Sequence, residues 1–153
     1  MNKTSKLPKQ APPDPRIIQR VNIDTNRKPD RRLRLLNGNV YLYPGTTRMP
    51  SSFAAVEHFA PGETVYWCFM GDEWQYVLKG EADITYSLAA TMHTEEREIH
   101  VGPGDLYAIP AGARLRCKVT SKEPFMHLCV VVLLSAPRSE ELYHVAPGAL
   151  EYL

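Results

Sequence analysis

From Leu33 onward the chain is punctuated by turn residues at short intervals: Pro44-Gly45, Pro61-Gly62, Gly71-Asp72, Gly80, Gly102-Pro103-Gly104, and the stretches 110–112 and 122–124. Proline fixes φ and lacks a backbone donor, and glycine reaches positive φ, so each cluster stops a regular element and turns the chain. The intervals between them are rich in Val, Ile, Tyr, Phe, Trp and Thr, which favour a pleated, half-buried backbone. The pattern predicts strands over 39–43, 52–59, 64–70, 74–79, 82–88, 97–101, 106–109, 113–119 and 125–134. No amphipathic helix is expected before the C-terminal region, where one turn could form around 139–143. Many short strands at this spacing define an all-β sandwich or closed barrel.

The length of 153 residues is enough for one domain with a sizeable core. Hydrophobic residues make up 44% and charged residues 23%, as in soluble globular proteins. The longest apolar run, 128–134, falls far short of the roughly 18 residues that a membrane span needs. No signal-peptide pattern opens the chain. Cys68, Cys117 and Cys129 have no metal-ligand spacing and leave one thiol over in any disulfide scheme, so a cytoplasmic location is expected. The net charge of +1 hides a split. Residues 1–34 carry ten Lys/Arg against three Asp, and the remainder carries eight against fourteen acidic residues.

This split divides the chain into a flexible, basic, Pro-rich arm (1–32), a barrel (33–136) and a C-terminal tail (137–153). The arm lacks aromatic residues for stacking on bases and the body is acidic, so a solvated or subunit-docking arm is favoured over nucleic-acid binding. Ile17 and Ile18, or Val21 and Ile23, could dock on another surface.

Alternation sorts the faces. Over 113–119, Leu115, Cys117 and Val119 share one side, opposite Arg114, Arg116 and Lys118. Residues 61–80 read as a β-hairpin turning at Gly71-Asp72. Its first strand is apolar on both sides, with Tyr66, Cys68 and Met70 expected to face inward and Trp67 and Phe69 outward. In the second, Trp74, Tyr76 and Leu78 lie opposite Glu73, Gln75 and Val77. An outer row of Trp67, Phe69, Trp74 and Tyr76 needs a cover, and these four are candidate interface residues. Tyr66, Cys68, Met70, Gln75 and Leu115 are the candidate pocket lining.

The glycine and proline frame resembles the cupin superfamily of small jelly-roll barrels, with an extended N-terminal arm added. Gly62 opens the first motif, Glu73 is followed after six residues by Gly80, and Gly104, Pro110 and Gly112 keep the second motif's spacing. The resemblance implies four metal ligands: two histidines and a glutamate in the first motif and one histidine in the second. Counted from Gly62, the paired histidine positions hold Cys68 and Met70; counted back from Glu73, they hold Trp67 and Phe69. The second-motif histidine position holds Leu115, and the motif's asparagine is Val119. Only Glu73 is kept, so no metal and no cofactor is expected on this chain. Of the histidines, His93 and His100 lie in a charged connection. His58 and His144 are further candidates for a rebuilt site, and His127 opens an apolar strand from which it could face Glu73.

Three functions follow. The chain looks most like the small subunits of two-component hydroquinone-type ring-cleaving dioxygenases, in which a cupin chain without metal pairs with a larger cupin chain that holds the iron. That reading implies a homo- or hetero-oligomer in aromatic catabolism, with iron in a partner. Alternatively, the chain is a stand-alone metal-independent isomerase, epimerase or cyclase, with Glu73 and His127 as catalytic residues. The third function is a small-ligand-binding or sensor barrel.

Overall fold

The computed structural model describes residues 18, 20–35, 37–43, 47–49, 51–69, 71–88, 95–133 and 150–152. The strands formed by these residues are β1 (Arg31–Leu35), β2 (Gly38–Leu42), β3 (Thr47–Met49), β4 (Ser52–Phe59), β5 (Thr64–Cys68), β6 (Gly71–Lys79), β7 (Ala82–Leu88), β8 (Arg97–Val101), β9 (Leu106–Ile109), β10 (Ala113–Val119), β11 (Phe125–Leu133) and β12 (Leu150–Tyr152). One sheet runs in the order β12-β1-β2-β4-β11-β6-β9, with β3 also paired to β4. The other runs β5-β10-β7-β8. Every pairing is antiparallel. This is an all-β jelly roll, as expected from the turn spacing. Among the described residues no helix is long and apolar enough to cross a membrane.

The larger sheet is built on β11, whose Val-rich sequence suits a central strand flanked on both sides. It pairs with β4 along one edge and β6 along the other. Its inward residues Phe125, His127, Cys129 and Val131 are buried, and they meet Phe53, Ala55, Glu57 and Phe59 of β4 in register. Cys117 and Val119 of β10, with Ile84 of β7, close the core from the facing sheet. The half-buried reading of β10 holds, with Arg114, Arg116 and Lys118 exposed.

Glu63 ties the sheets together at one end. Its carboxylate accepts from the Asn39 backbone N–H at 2.6 Å, the Asn39 side-chain amide at 3.2 Å and the Ala60 N–H at 3.0 Å.

Residues 61–80 correct the sequence reading. They do hold two strands, but β5 and β6 do not pair: β5 bonds to β10 in one sheet, and β6 lies between β11 and β9 in the other. The strand also ends at Cys68, because Phe69 turns its N–H to Ala113 O (2.9 Å) and accepts from the Gly112 N–H (2.7 Å). The chain therefore changes sheets before Gly71, Gly71 and Asp72 open β6 opposite Leu133 and Val132, and the Asp72 carboxylate accepts from the Ala111 N–H at 2.9 Å. A Gly-Asp pair marks a turn without specifying which edges it joins.

Three strands were not anticipated. β1 starts at Arg31, within the expected arm, where Leu33 is buried while Arg34 is exposed. β12 lies in the tail and pairs Leu150 with Leu33; β3 is three residues long. Ile23 packs on the outer face of the larger sheet against the cluster of Tyr43, Val56 and Met126, while Ile18 is exposed. Most of the arm, and the expected helical turn at 139–143, lie outside the described residues.

Candidate functional site

Strand register gathers the polar residues of the interior onto the inner face of the larger sheet. His127 on β11 stands opposite Glu57 on β4, Cys129 opposite Gln75 on β6, and Gln75 opposite Tyr107 on β9. Glu73 pairs with Val131 and Ile109 one step further along the strands. Because directly paired residues share a face, an inward Cys129 carries Gln75 and Tyr107 inward too.

Glu57, Glu73, Gln75 and His127 are the buried polar or charged residues of the described chain. The Gln75 amide donates to Glu73 Oε1 at 2.7 Å, and the Tyr107 hydroxyl donates to Gln75 Oε1. Burial, together with the Glu57 carboxyl, pushes the Glu73 carboxyl up to about 8, against the pull of the Gln75 hydrogen bond. Burial also raises the Tyr107 phenol far above its ordinary value and pushes the Cys117 thiol up to about 12. Cys129 is raised by burial, then by Glu57 and Glu73, and its thiol hydrogen-bonds Glu57. None of these thiols is an ionised nucleophile at neutral pH.

His127 is fully buried, edged by the rings of Phe59 and Phe125 at centroid distances of 5.4 Å. Its Nε2 lies 3.5 Å from Glu57 Oε2, close enough for electrostatic attraction, yet neither ring nitrogen has a hydrogen-bond partner. The imidazole is thus a polar group whose bonding capacity the surrounding residues leave unused.

A cavity of about 40 Å³ adjoins this network, with Glu57, Glu73 and Gln75 on its polar side. Phe53, Trp67 and Phe69 are among the residues of its apolar wall. A second cavity of about 130 Å³ shares Ile84, Tyr107 and Leu115 with it, and reaches Ile99 on β8. At about 10–15 Å³ for each water-sized group, the inner chamber has room for roughly three or four.

The expected pocket residues divide. Gln75 and Leu115 line the chamber. Tyr66 and Cys68 do not: both are exposed on the outer face of β5, so their inward assignment is corrected. Trp67 and Phe69, expected outside, point in, stack at 6.0 Å and line the chamber. A strand apolar on both faces carries no alternation from which to tell inside from outside, and one residue of slip exchanges the two sets. Met70 lies outside the described residues.

Trp74 and Tyr76 are on the outer face, 42% and 43% exposed. Glu73 is in the chamber, while His127 stands behind Glu57 and is not part of the chamber wall. His58 is half-buried on the outer side and bonded to the Tyr43 hydroxyl at 3.1 Å; His100 pairs with Asp83 at 2.8 Å in an exposed position. His93 and His144 lie outside the described residues. Glu57 and Tyr107 were missed as site residues. Their signal was a polar side chain standing in the apolar register of its own strand.

The sequence pattern of the cupin domain matches residues 55–131, and the chain belongs to the cupin family. No curated protein matches it in sequence. Among solved structures it is similar to the EutQ protein of Clostridium difficile, at 19% identity and a TM-score of 0.51, covering 74% of this chain and 81% of that one. It is also similar to the Drosophila melanogaster CENP-C cupin domain (13% identity, TM-score 0.52, 65% and 68% covered). A third is the Lactobacillus farciminis oxalate decarboxylase formate complex, at 20% identity and a TM-score of 0.53, where the match covers 69% of this chain but 32% of that one. At these identities the likeness shows the fold alone.

The family's metal does not fit the residues present. Where the barrel would offer imidazoles, the inward positions are Trp67, Phe69 and Leu115, which have no lone pair for a divalent cation. Among the described residues no group of three or more His, Cys, Asp or Glu side chains is arranged to hold a metal ion.

Proposed function

We propose that this chain is a cupin subunit that works beside a larger, iron-binding cupin chain of a small-molecule dioxygenase, the aromatic ring-cleaving class being the one its sequence resembles. The observation that carries this reading is the apolar outer face of the larger sheet. Trp74, Tyr76 and Leu78 on β6, Leu106 on β9 and Val132 on β11 are all exposed, between 38% and 68%. They adjoin through strand pairing, Tyr76 beside both Leu106 and Leu128 and Trp74 beside Val130. A contiguous face with two large aromatics has the composition of an interface centre. The neighbouring part of the same face is covered by Ile23, so the exposed part begins where that cover stops. Apolar residues at the family's metal positions agree with a subunit that supplies shape while its partner supplies the iron.

The test is co-expression with a larger cupin chain encoded beside it. The wild-type pair is expected to co-elute, and Trp74→Glu is expected to weaken association by a factor on the order of 100, with the thermal melt of the isolated chain unchanged. A wild-type chain that stays a monodisperse monomer beside that partner, and turns over substrate alone, overturns the proposal.

One observation favours a second reading, a stand-alone acid–base enzyme: Glu73 is held protonated near neutrality beside a cavity. Under it, Glu73→Gln removes turnover by the purified chain; an unchanged rate dismisses it.

A further inference from the structure

The chamber's polar capacity is one-sided. The Gln75 amide is spent on Glu73, and the Tyr107 hydroxyl is spent on Gln75. Glu57 and Glu73 both present their carboxyl groups to this buried space. Among the described residues no lysine or arginine lines the chamber. What remains for a guest is therefore acceptor oxygen and negative charge, walled by the rings of Trp67, Phe69 and Phe53. Behind the carboxyl pair, His127 is fully buried with both ring nitrogens unpartnered, its Nε2 aimed at Glu57 from 3.5 Å.

We propose that the chamber binds a small organic cation, an ammonium head of a few heavy atoms, between the Glu57–Glu73 carboxyl pair and the ring faces of Trp67 and Phe69. Three properties select this class. An anion would meet the carboxyl charge with no lining cation to offset it. A neutral hydroxyl would satisfy one acceptor but leave the charge uncompensated. An ammonium group does both, and its positive charge is attracted to aromatic faces, most strongly to an indole. The cavity of about 40 Å³ has the scale of methylammonium, and the adjoining apolar cavity beyond Tyr107 and Leu115 offers room for a short hydrocarbon tail. The inference does not depend on the partner proposed above, since the chamber lies within this chain.

The chain has two tryptophans, so Trp74→Phe leaves Trp67, in the chamber wall, as the sole indole reporter. Full-length protein carrying that change is titrated with methylammonium chloride at constant ionic strength. Sodium chloride, methanol and sodium acetate serve as matched controls. A saturable change in Trp67 fluorescence with methylammonium alone is expected, with affinity in the millimolar range, weakened at least tenfold by Glu57→Gln. The proposal is overturned by no saturation below about 0.1 M, by an equal response to methanol or acetate, or by a Glu57→Gln protein that binds as tightly. Should Glu57→Gln fail to fold, the comparison of cation, neutral and anionic probes on the parent protein decides alone.

Discussion

Glu73→Gln is expected to raise stability at alkaline pH by on the order of 5 kcal/mol and to flatten the pH dependence of unfolding. The carboxyl moves from an ordinary 4.5 to about 8 on folding, because burial and then the Glu57 charge disfavour its ionised form. Between those values the unfolded chain has released this proton and the folded chain still holds it. The folded state then binds more protons, so stability falls as pH rises across the window, by about 1.4 kcal/mol per unit, and levels off above about 8. Below pH 4.5 both states are protonated and Glu73 costs nothing in this sense.

The groups facing Glu73 are Gln75 beside it on β6, Glu57 from β4, Tyr107 from β9 and Cys129 from β11. Glutamine keeps an oxygen to accept from Gln75, so the network survives the exchange. Denaturant melts of both proteins across this range give the difference directly. Parallel stability curves would show that Glu73 ionises in the folded protein much as it does in the unfolded chain.

Gly80→Ala is expected to destabilise the barrel by more than 3 kcal/mol, enough to drive much of the protein from the soluble, folded pool. Gly80 sits at φ +75°, and an added Cβ would stand 2.4 Å from Pro124 O and 2.8 Å from Phe125 Cα. Both obstacles are backbone, so no rotamer change relieves them. The left-handed conformation alone costs an alanine about 1–2 kcal/mol; displacing Phe125, which is fully buried, adds the loss of its packing. Gly112 provides the internal control. Its φ is +84°, but nothing lies within 4 Å of its added Cβ, so Gly112→Ala should cost only the conformational part. Equal losses at the two sites, measured by chemical denaturation, would refute the steric argument.

The two glycines also show what could be read before the fold was seen. A residue needed for positive φ leaves a mark in the sequence, which is why Gly80, Gly104 and Gly112 pointed to the barrel and most strand positions followed. Glu73 and Gln75 were readable because β6 alternates cleanly up to Leu78, with Gly71, Glu73, Gln75 and Val77 buried and Trp74, Tyr76 and Leu78 outside. β5 was not, because Val, Tyr, Trp, Cys and Phe are acceptable on either face, and the true choice depends on how β5 pairs with β10. The chamber needed a further level of information. Glu57 and Tyr107 lie 50 residues apart in sequence, and only the registers β4–β11, β11–β6 and β6–β9 bring them into one row system. Arg31 and Arg32 looked like the end of a charged arm. Their strand was identifiable only through Leu33 and Leu35, which a boundary drawn at residue 32 separated from them.

The two flanks of the barrel differ in a way that bears on its mechanics. On one flank β5 lies against β1 and β2, with Gly38 pressed so close to Thr64 and Val65 that a side chain there would crowd them. On the other, among the described residues β8 and β9 end their sheets without pairing to each other, and Ile99 of β8, on the same side as Ile84, is 37% exposed. The molecule is thus bound like a book, with its spine at β5 and its pages parting at β8 and β9, and Tyr107 is the leaf between the outer cavity and the inner one.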